Sequence, residues 1–340
     1  MLRAALRDLQ WRRRRFAIAM TGVALVFALG LVMTGLAASF SAEVDRTLDG
    51  VGAEAWGVSA QTSGPFTSFT PVPMESGGPG ATPAMTLRQT VVTDEVLDII
   101  VLGVTTGSLG TPEVTTGRTL AGPGEMVADS SLEGVALGDV ISFGGGSFEV
   151  VGTTDGQRMF AGLPVVHIDL TDAQAISVQG APVANAFLYE TRPDAIPDSL
   201  RIMSPAEVRD DTLRPLDGAL ASIQLVRLLL WLVAATIIGS VLYLQTIERT
   251  RDFAVFKATG TSTGAIAAGL SLQAIVLSIA AAILAAVLGA LLAPVFPMYV
   301  EIPISAFVLL PVVTVGVGLL SSLLALRRTV SVQPALAFGG

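Results

Sequence analysis

The stretch Ile247-Glu-Arg-Thr-Arg-Asp-Phe-Ala-Val-Phe-Lys-Ala258, followed by Thr259-Gly260-Thr261, is a charged island between two hydrophobic runs, 228–247 and 266–292. Each run is long enough to cross a hydrocarbon core of roughly 30 Å as a helix, so the island has to emerge at one membrane face. Arg249, Arg251 and Lys257 outnumber Glu248 and Asp252, and short loops rich in Lys and Arg stay cytoplasmic. Interleaved with the charges are Phe253, Val255 and Phe256. One reading is an ordinary juxtamembrane loop with snorkelling apolar neighbours. The other is a docking element, because these apolar side chains are offered at the cytoplasmic surface where lipid alone does not require them.

Composition agrees with a membrane setting. Of 340 residues, 51% are hydrophobic and only 14% charged, and the mean hydropathy is +0.68, which is not the profile of an ordinary soluble domain. The net charge of -8 divides unevenly. Between Glu43 and Asp217 there are 24 acids and 8 arginines, whereas the regions before Phe16, from Ile247 to Lys257 and after Leu326 hold 11 bases and 3 acids. An external domain with basic cytoplasmic edges has this asymmetry. Cysteine is absent, which excludes disulfides and thiolate metal sites, and no cofactor is expected.

Residues 1–15 carry Leu2, Leu6 and Leu9 at helical spacing, surrounded by Arg3, Arg7 and Arg12 to Arg15, with Trp11 beside the interface. This pattern predicts an amphipathic elbow helix on the cytoplasmic leaflet rather than a nucleic-acid arm. Residues 16–40 contain no charge and read as a first span. A cleaved signal peptide competes with this reading, but its apolar region is only about 7 to 15 residues. Residues 41–217 form the external domain. Ala42 to Leu48 should prolong the first helix until Gly50 and Gly52 end it, and Gln61 to Met85, rich in Ser, Thr, Gly and Pro, reads as a long flexible loop or an ordered ligand-contacting one.

Strands are predicted at Thr90–Thr93, Ile99–Val104, Met126–Ala128, Val140–Phe143, Phe148–Gly152 and Pro164–Ile168, and a short helix at Asp172–Val178 begun by Thr171, which makes a small α+β domain. Gly144-Gly145-Gly146 reads as a hairpin turn and not a phosphate cradle, since no helix start and no Lys follows. His167 lies in an alternating strand with no second ligand or nucleophile near it and is read as structural. Ser204-Pro205-Ala206-Glu207 has the form of a capping box with Pro at the first helical position. Leu213, Leu216, Leu220 and Ile223 then repeat at helical spacing, with Pro215 bending or restarting the helix.

This helix and the extension of the first span are expected to pair as a stalk; residues 218–247 comprise the stalk end and the second span, 248–265 the cytoplasmic segment, 266–292 the third span, 293–303 an external loop, 304–326 the fourth span and 327–340 a cytoplasmic tail. In the third span Ala281, Ala285 and Gly289 fall four apart, a small-residue face for close helix packing. Gln245 and Gln273 are the only amides within the spans, and no Asp, Glu, Lys, Arg or His lies deep in any of them, which argues against a proton or ion pathway. The fold class is therefore a membrane protein, α-helical with four transmembrane helices and an α+β domain between the first and second.

Glu248-Arg249-Thr250-Arg251-Asp252-Phe253-Ala254-Val255-Phe256-Lys257-Ala258-Thr259-Gly260 resembles the Glu-Arg-x-Arg-Glu-hydrophobic, Arg/Lys-Ala-x-Gly segment of the MacB/FtsX-like (LolC/LolE-type) ABC transporter permeases, with Asp252 in place of the commoner Glu and Thr259 in place of Leu or Met. Gly117-Arg118, Glu125 to Asp129, Leu137-Gly138-Asp139 and Phe148 to Gly152 are similar to the extracytoplasmic core of MacB-type permeases. Val332-Gln333-Pro334-Ala335-Leu336 is similar to the tails of the family.

The resemblance implies a non-catalytic permease subunit of the bacterial plasma membrane, with both termini cytoplasmic. Glu248, Arg249, Arg251, Phe253, Val255, Phe256, Lys257 and Gly260 would contact a partner ATPase. Lys257, the only lysine, lacks a phosphate-loop context, so the motor is another chain, present in two copies. A second copy of this chain or a related permease, membrane lipids and a periplasmic or surface protein complete the expected partners, with no nucleic acid. The implied work is mechanical export or extraction of a lipid, lipoprotein, peptide or drug. The alternatives are an FtsX-like transmitter that activates a cell-wall hydrolase, and a membrane-anchored sensor or adhesin with no ATPase.

Overall fold

The computed structural model describes residues 13–93, 96–248, 255, 259–296 and 298–329. Its first helix, α1 (Arg13–Val51), is 39 residues long, or about 58 Å at 1.5 Å per residue. The chain stays helical through Gly50 and turns at Gly52, whose φ of 70° and N–H bond to the Leu48 carbonyl at 3.2 Å terminate the helix. Only the second of the two expected glycine breakers therefore acts.

The strands that follow are β1 (Ala55–Ser59), β2 (Val72–Pro73), β3 (Thr82–Val92), β4 (Val96–Val104), β5 (Thr116–Gly117), β6 (Glu125–Asp129), β7 (Val140–Phe143), β8 (Gly146–Thr154), β9 (Arg158–Met159) and β10 (Leu163–Asp169). Next come α2 (Leu170–Val178), β11 (Val183–Ala184), β12 (Ala186–Tyr189), β13 (Leu200–Met203) and α3 (Pro205–Leu213). A 3-10 turn at Arg214–Leu216 leads to α4 (Asp217–Glu248), and α5 (Thr263–Leu292) and α6 (Ile304–Thr329) complete the described chain.

Eleven strands form one mixed sheet, ordered β13-β1-β12-β3-β4-β10-β6-β8-β5, with β7 on β8 and β9 on β10. Pairing is antiparallel except between β10 and β4 and between β6 and β8. The expected loop between Gln61 and Met85 is shorter than composition suggested: β2 and a 3-10 turn at Met74–Gly77 lie inside it, and Thr82–Met85 already belongs to β3. β3 pairs with β4 from Ala84 opposite Val104 to Val92 opposite Val96, so it spans far more than the four residues read from sequence.

The helix expected at Asp172 begins at Leu170. Its N-cap is Asp169, not Thr171: the Asp169 carboxylate accepts from the Thr171 N–H at 2.9 Å and its hydroxyl at 2.6 Å. The Gly144-Gly145 turn joins β7 to β8 with both φ values positive, 58° and 86°, as a twisted two-residue hairpin demands. The capping box of α3 is complete, with Ser204 N–H donating to Glu207 Oε2 at 2.7 Å and Glu207 N–H to Ser204 Oγ at 3.3 Å. Pro215 sits in the 3-10 turn that restarts the helix as α4.

The chain resolves into two compact units: the described residues up to Ser39 with those from Ala219 onward, and Phe40–Gly218. In the first, Val23, Phe27 and Leu31 of α1, Ile238 of α4, Ala281 and Ala285 of α5 and Leu310 of α6 share one core. Four helical stretches are long and apolar enough to cross a membrane by length and composition: Phe16–Val51, Pro205–Val241, Ala267–Val295 and Ile304–Ser321. Their outward residues remain apolar. Leu232 is 64% exposed and Ile304 82%, a surface that lipid, not water, would cover. In the second unit, Met85, Ile99, Val101, Met126, Val166 and Ile168 form a core beneath α2, and Ala55, Phe187, Tyr189 and Ile202 form another.

Candidate functional site

The expected docking segment joins two candidate spans. Glu248 ends α4. The Val255 side chain is half exposed, its carbonyl accepts from the Thr259 N–H at 3.0 Å, and Gly260 adopts a φ of 91°. That left-handed conformation suits glycine and turns the chain toward Ser262, whose hydroxyl caps α5 by accepting from the Ala265 N–H at 3.2 Å. Arg249, Arg251, Phe253, Phe256 and Lys257 lie outside the described residues, as do 1–12 of the expected elbow helix and 330–340 of the tail.

The small-residue face of α5 is turned into its own unit. Ala281 and Ala285 have no exposed surface, and a Cβ added to Gly289 would stand 2.8 Å from Leu31 Cδ2 of α1. Close approach of α5 to α1 is thus used within one chain. Gly35 serves similarly, since a Cβ there would meet Ile302 at 2.7 Å.

In the sheet unit the residues of the family-like motifs prove to be structural. Arg118 forks onto Glu125 with bonds of 2.8 and 2.6 Å, and the Ala121 N–H adds a third at 2.6 Å. The Arg118 hydrogen bonds hold the Glu125 carboxyl down at about 2. Asp129, 1% exposed, accepts from the Ser131 hydroxyl at 2.6 Å and the Gln157 N–H at 2.7 Å and faces Arg158 Nε at 3.4 Å. Thr47 of α1 places its hydroxyl 3.0 Å from the Arg158 carbonyl oxygen, so the end of the first helix is tied to the same corner of the sheet. His167 pairs with Leu102 and Val127 on the flanking strands and is 1% exposed, and burial pushes its pKa down to about 3. A neutral, enclosed imidazole of this kind has no catalytic reach. Among the described residues no group of three His, Asp or Glu could hold a metal ion.

Sequence reasoning missed a mainly apolar cavity of about 630 Å³ in the sheet unit, lined by Phe66, Phe69, Leu87, Ile100, Phe160 and Leu163, by Pro215 and Leu216 at the entry to α4, and by the polar Thr67, Ser68, Thr86 and Arg88. Phe160 and Ala161 both have positive φ, 52° and 68°, an uncommon conformation for side chains of this kind. The signal was present: Phe66 and Phe69 are two aromatics three apart in an otherwise polar stretch. The size and apolar lining match small-molecule or lipid sites in general.

Comparison with known proteins agrees with the geometry. Residues 225–334 match the family described as FtsX-like permease C-terminal. Over the whole of both chains, this sequence is 41% identical to the Uncharacterized ABC transporter permease Rv2563 of Mycobacterium tuberculosis strain H37Rv and to a permease of the same description in Mycobacterium bovis. It is 38% identical, again over all of both chains, to the Uncharacterized ABC transporter permease Rv0072 of M. tuberculosis. Permease subunits of ABC transporters are in general non-catalytic membrane components whose ATPase resides in a partner. With four candidate spans, a mixed-sheet unit and full-length likeness to such permeases, the chain belongs to the FtsX/MacB-like family of ABC transporter permeases.

Proposed function

We propose that two copies of this chain assemble with two ATPase subunits, that the ATPases grip the cytoplasmic segment 248–265, and that the resulting motion works residues 41–217 outside the cell. Glu248, Arg249, Arg251, Phe253, Val255, Phe256, Lys257 and Gly260 are the docking residues in this reading. The observation that carries it is α4, one unbroken helix from Asp217 to Glu248. At about 48 Å it is longer than a bilayer core, so a displacement imposed at Glu248 reaches Asp217, where the 3-10 turn and α3 lead back to β13. Residues 16–40, 228–247, 266–292 and 304–326 contain no Asp, Glu, Lys, Arg or His, which argues against an ion pathway. The external domain therefore handles the substrate, an envelope lipid, lipoprotein, peptide or drug, and the Phe66–Phe69–Phe160 cavity suits its apolar part. Acid excess in 41–217 and basic flanks support this orientation, with both termini cytoplasmic.

The test is to replace Phe253 and Phe256 by Ala and follow ATPase co-purification and transport-dependent activity at matched expression. Truncating aromatic anchors typically costs about 2 kcal/mol or more, so both should fall sharply. Replacing Arg249 and Arg251 by Gln should weaken docking by only about 0 to 1 kcal/mol, and less in high salt. Full ATPase binding and activity in the phenylalanine variant would reduce the segment to a membrane-edge loop. Capture of a cell-wall hydrolase by the external domain, without any bound lipid, peptide or drug, would replace export with signalling.

A further inference from the structure

Arg227 is the only basic residue between 215 and 248 and stands at the start of the apolar part of α4. It faces a groove between α1, α4 and α6 whose walls include Phe27, Leu31, Leu309 and Val313. Its Nε is buried with no hydrogen-bond partner, and its guanidinium carbon lies 5.5 Å from the ring centroid of Trp231, one turn along the same helix. No acid among the described residues pairs with it in an ion pair. A guanidinium has five donors and no acceptor, and burying part of it without an anion costs free energy. The cation–π contact with Trp231 orients the plane but leaves the buried Nε–H without an acceptor.

The geometry points to a bound anionic phospholipid at this place: the phosphate takes the bidentate donors of Arg227 and one acyl chain lies in the groove beside Leu31 and Leu309. The charge selects for an anionic occupant. A guanidinium binds phosphate oxygens in pairs and with directionality, which an ammonium does not match. The neighbouring surface selects for hydrocarbon: Leu309 is 58% exposed, Leu229 51% and Leu232 64%. Trp231, amphipathic and next to the charge, is the kind of side chain that sits at headgroup level. This site is separate from the ATPase-docking reading and does not depend on it.

The test uses the full chain in phosphatidylcholine vesicles, with brominated phosphatidylglycerol or brominated phosphatidylcholine added in steps, while tryptophan emission is followed. The Trp231 contribution is isolated by subtracting the Trp231→Phe variant. One charge-assisted contact makes brominated phosphatidylglycerol quench Trp231 at about tenfold lower mole fraction than its zwitterionic counterpart. Arg227→Gln abolishes that preference and Arg227→Lys keeps part of it. Leu309→Trp, read by native mass spectrometry of retained lipid because it adds a fluorophore, keeps the charge but fills the groove and lowers phosphatidylglycerol retention. Equal quenching by the two lipids in the unmodified chain overturns the assignment, as does an undiminished preference in Arg227→Gln. Salt-sensitive self-association that needs Arg227, with no lipid retained, would assign the groove to a second copy and overturn it equally.

Discussion

His167 shows how a single residue can be inert chemically and still shape the response of the protein to its surroundings. Burial in the middle of the sheet lowers its pKa from 6.5 to about 3, because the charged imidazolium would lose its hydration with no compensating anion. In the unfolded chain it protonates near 6.5, so between these values the unfolded state binds more protons and stability falls as pH falls. The expected loss is about 2 kcal/mol between pH 6.5 and pH 5, at 1.36 kcal/mol per unit. Denaturant titrations at both pH values should show the unmodified chain losing about this much stability relative to His167→Leu over the interval. An identical slope would place the pH sensitivity elsewhere. Glu125, although held near 2, is a weaker lever, because its partner Arg118 is 54% exposed and solvent screens such pairs.

The helices carry the packing arguments. Gly289 leaves room for Leu31 to lie against α5, and Ala281 and Ala285 continue that contact surface with methyl groups only. Replacing Gly289 by Leu should overpack the helical unit and destabilise it by about 1 to 3 kcal/mol, seen as a lower melting temperature in detergent with unchanged oligomer size on crosslinking. Loss of self-association with an unaltered melting temperature would mean that this face meets another copy instead. The long helices owe their length to the absence of breakers: α1 ignores Gly50 and stops at Gly52, and α4 restarts after Pro215 once the 3-10 turn has absorbed the missing N–H. Pro311 lies within α6 near its start, and the Thr314 hydroxyl returns to the Pro311 carbonyl at 3.0 Å.

At the scale of the whole molecule, the two units have separate cores. Residues 40–218 bury Val44 and Leu48 of the helix end, and among the described residues the two sheet-unit core clusters hold no residue of the helical core cluster. A fragment 40–218 should therefore be soluble and monomeric, with a β-rich spectrum and a single cooperative melt. A fragment that remains molten at neutral pH, with its cavity at Phe66 and Phe160 unable to exclude a hydrophobic dye, would show that the sheet unit needs the membrane helices to fold.

Much of this architecture could be read along the chain because membrane physics is local: a helix in lipid must satisfy its own backbone and present apolar side chains for its whole length, so the four hydrophobic runs, the capping box at Ser204 and the Gly144-Gly145 hairpin were all visible residue by residue. The family was legible as well, from Glu248 to Gly260 and the order of elements. The sheet was not. β1, β12 and β13 are short, and Ala55–Ser59 acquires its strand identity only by pairing with Ala186–Tyr189 and Leu200–Met203, distant in sequence. Thr82–Met85 looked like loop because its composition is that of a loop, yet pairing with β12 and β4 overrides that preference. The partner of the Ala281–Gly289 face and the unpaired guanidinium of Arg227 above its groove emerged at the tertiary level for the same reason: periodicity tells that a surface must be covered, and only the three-dimensional arrangement tells what covers it.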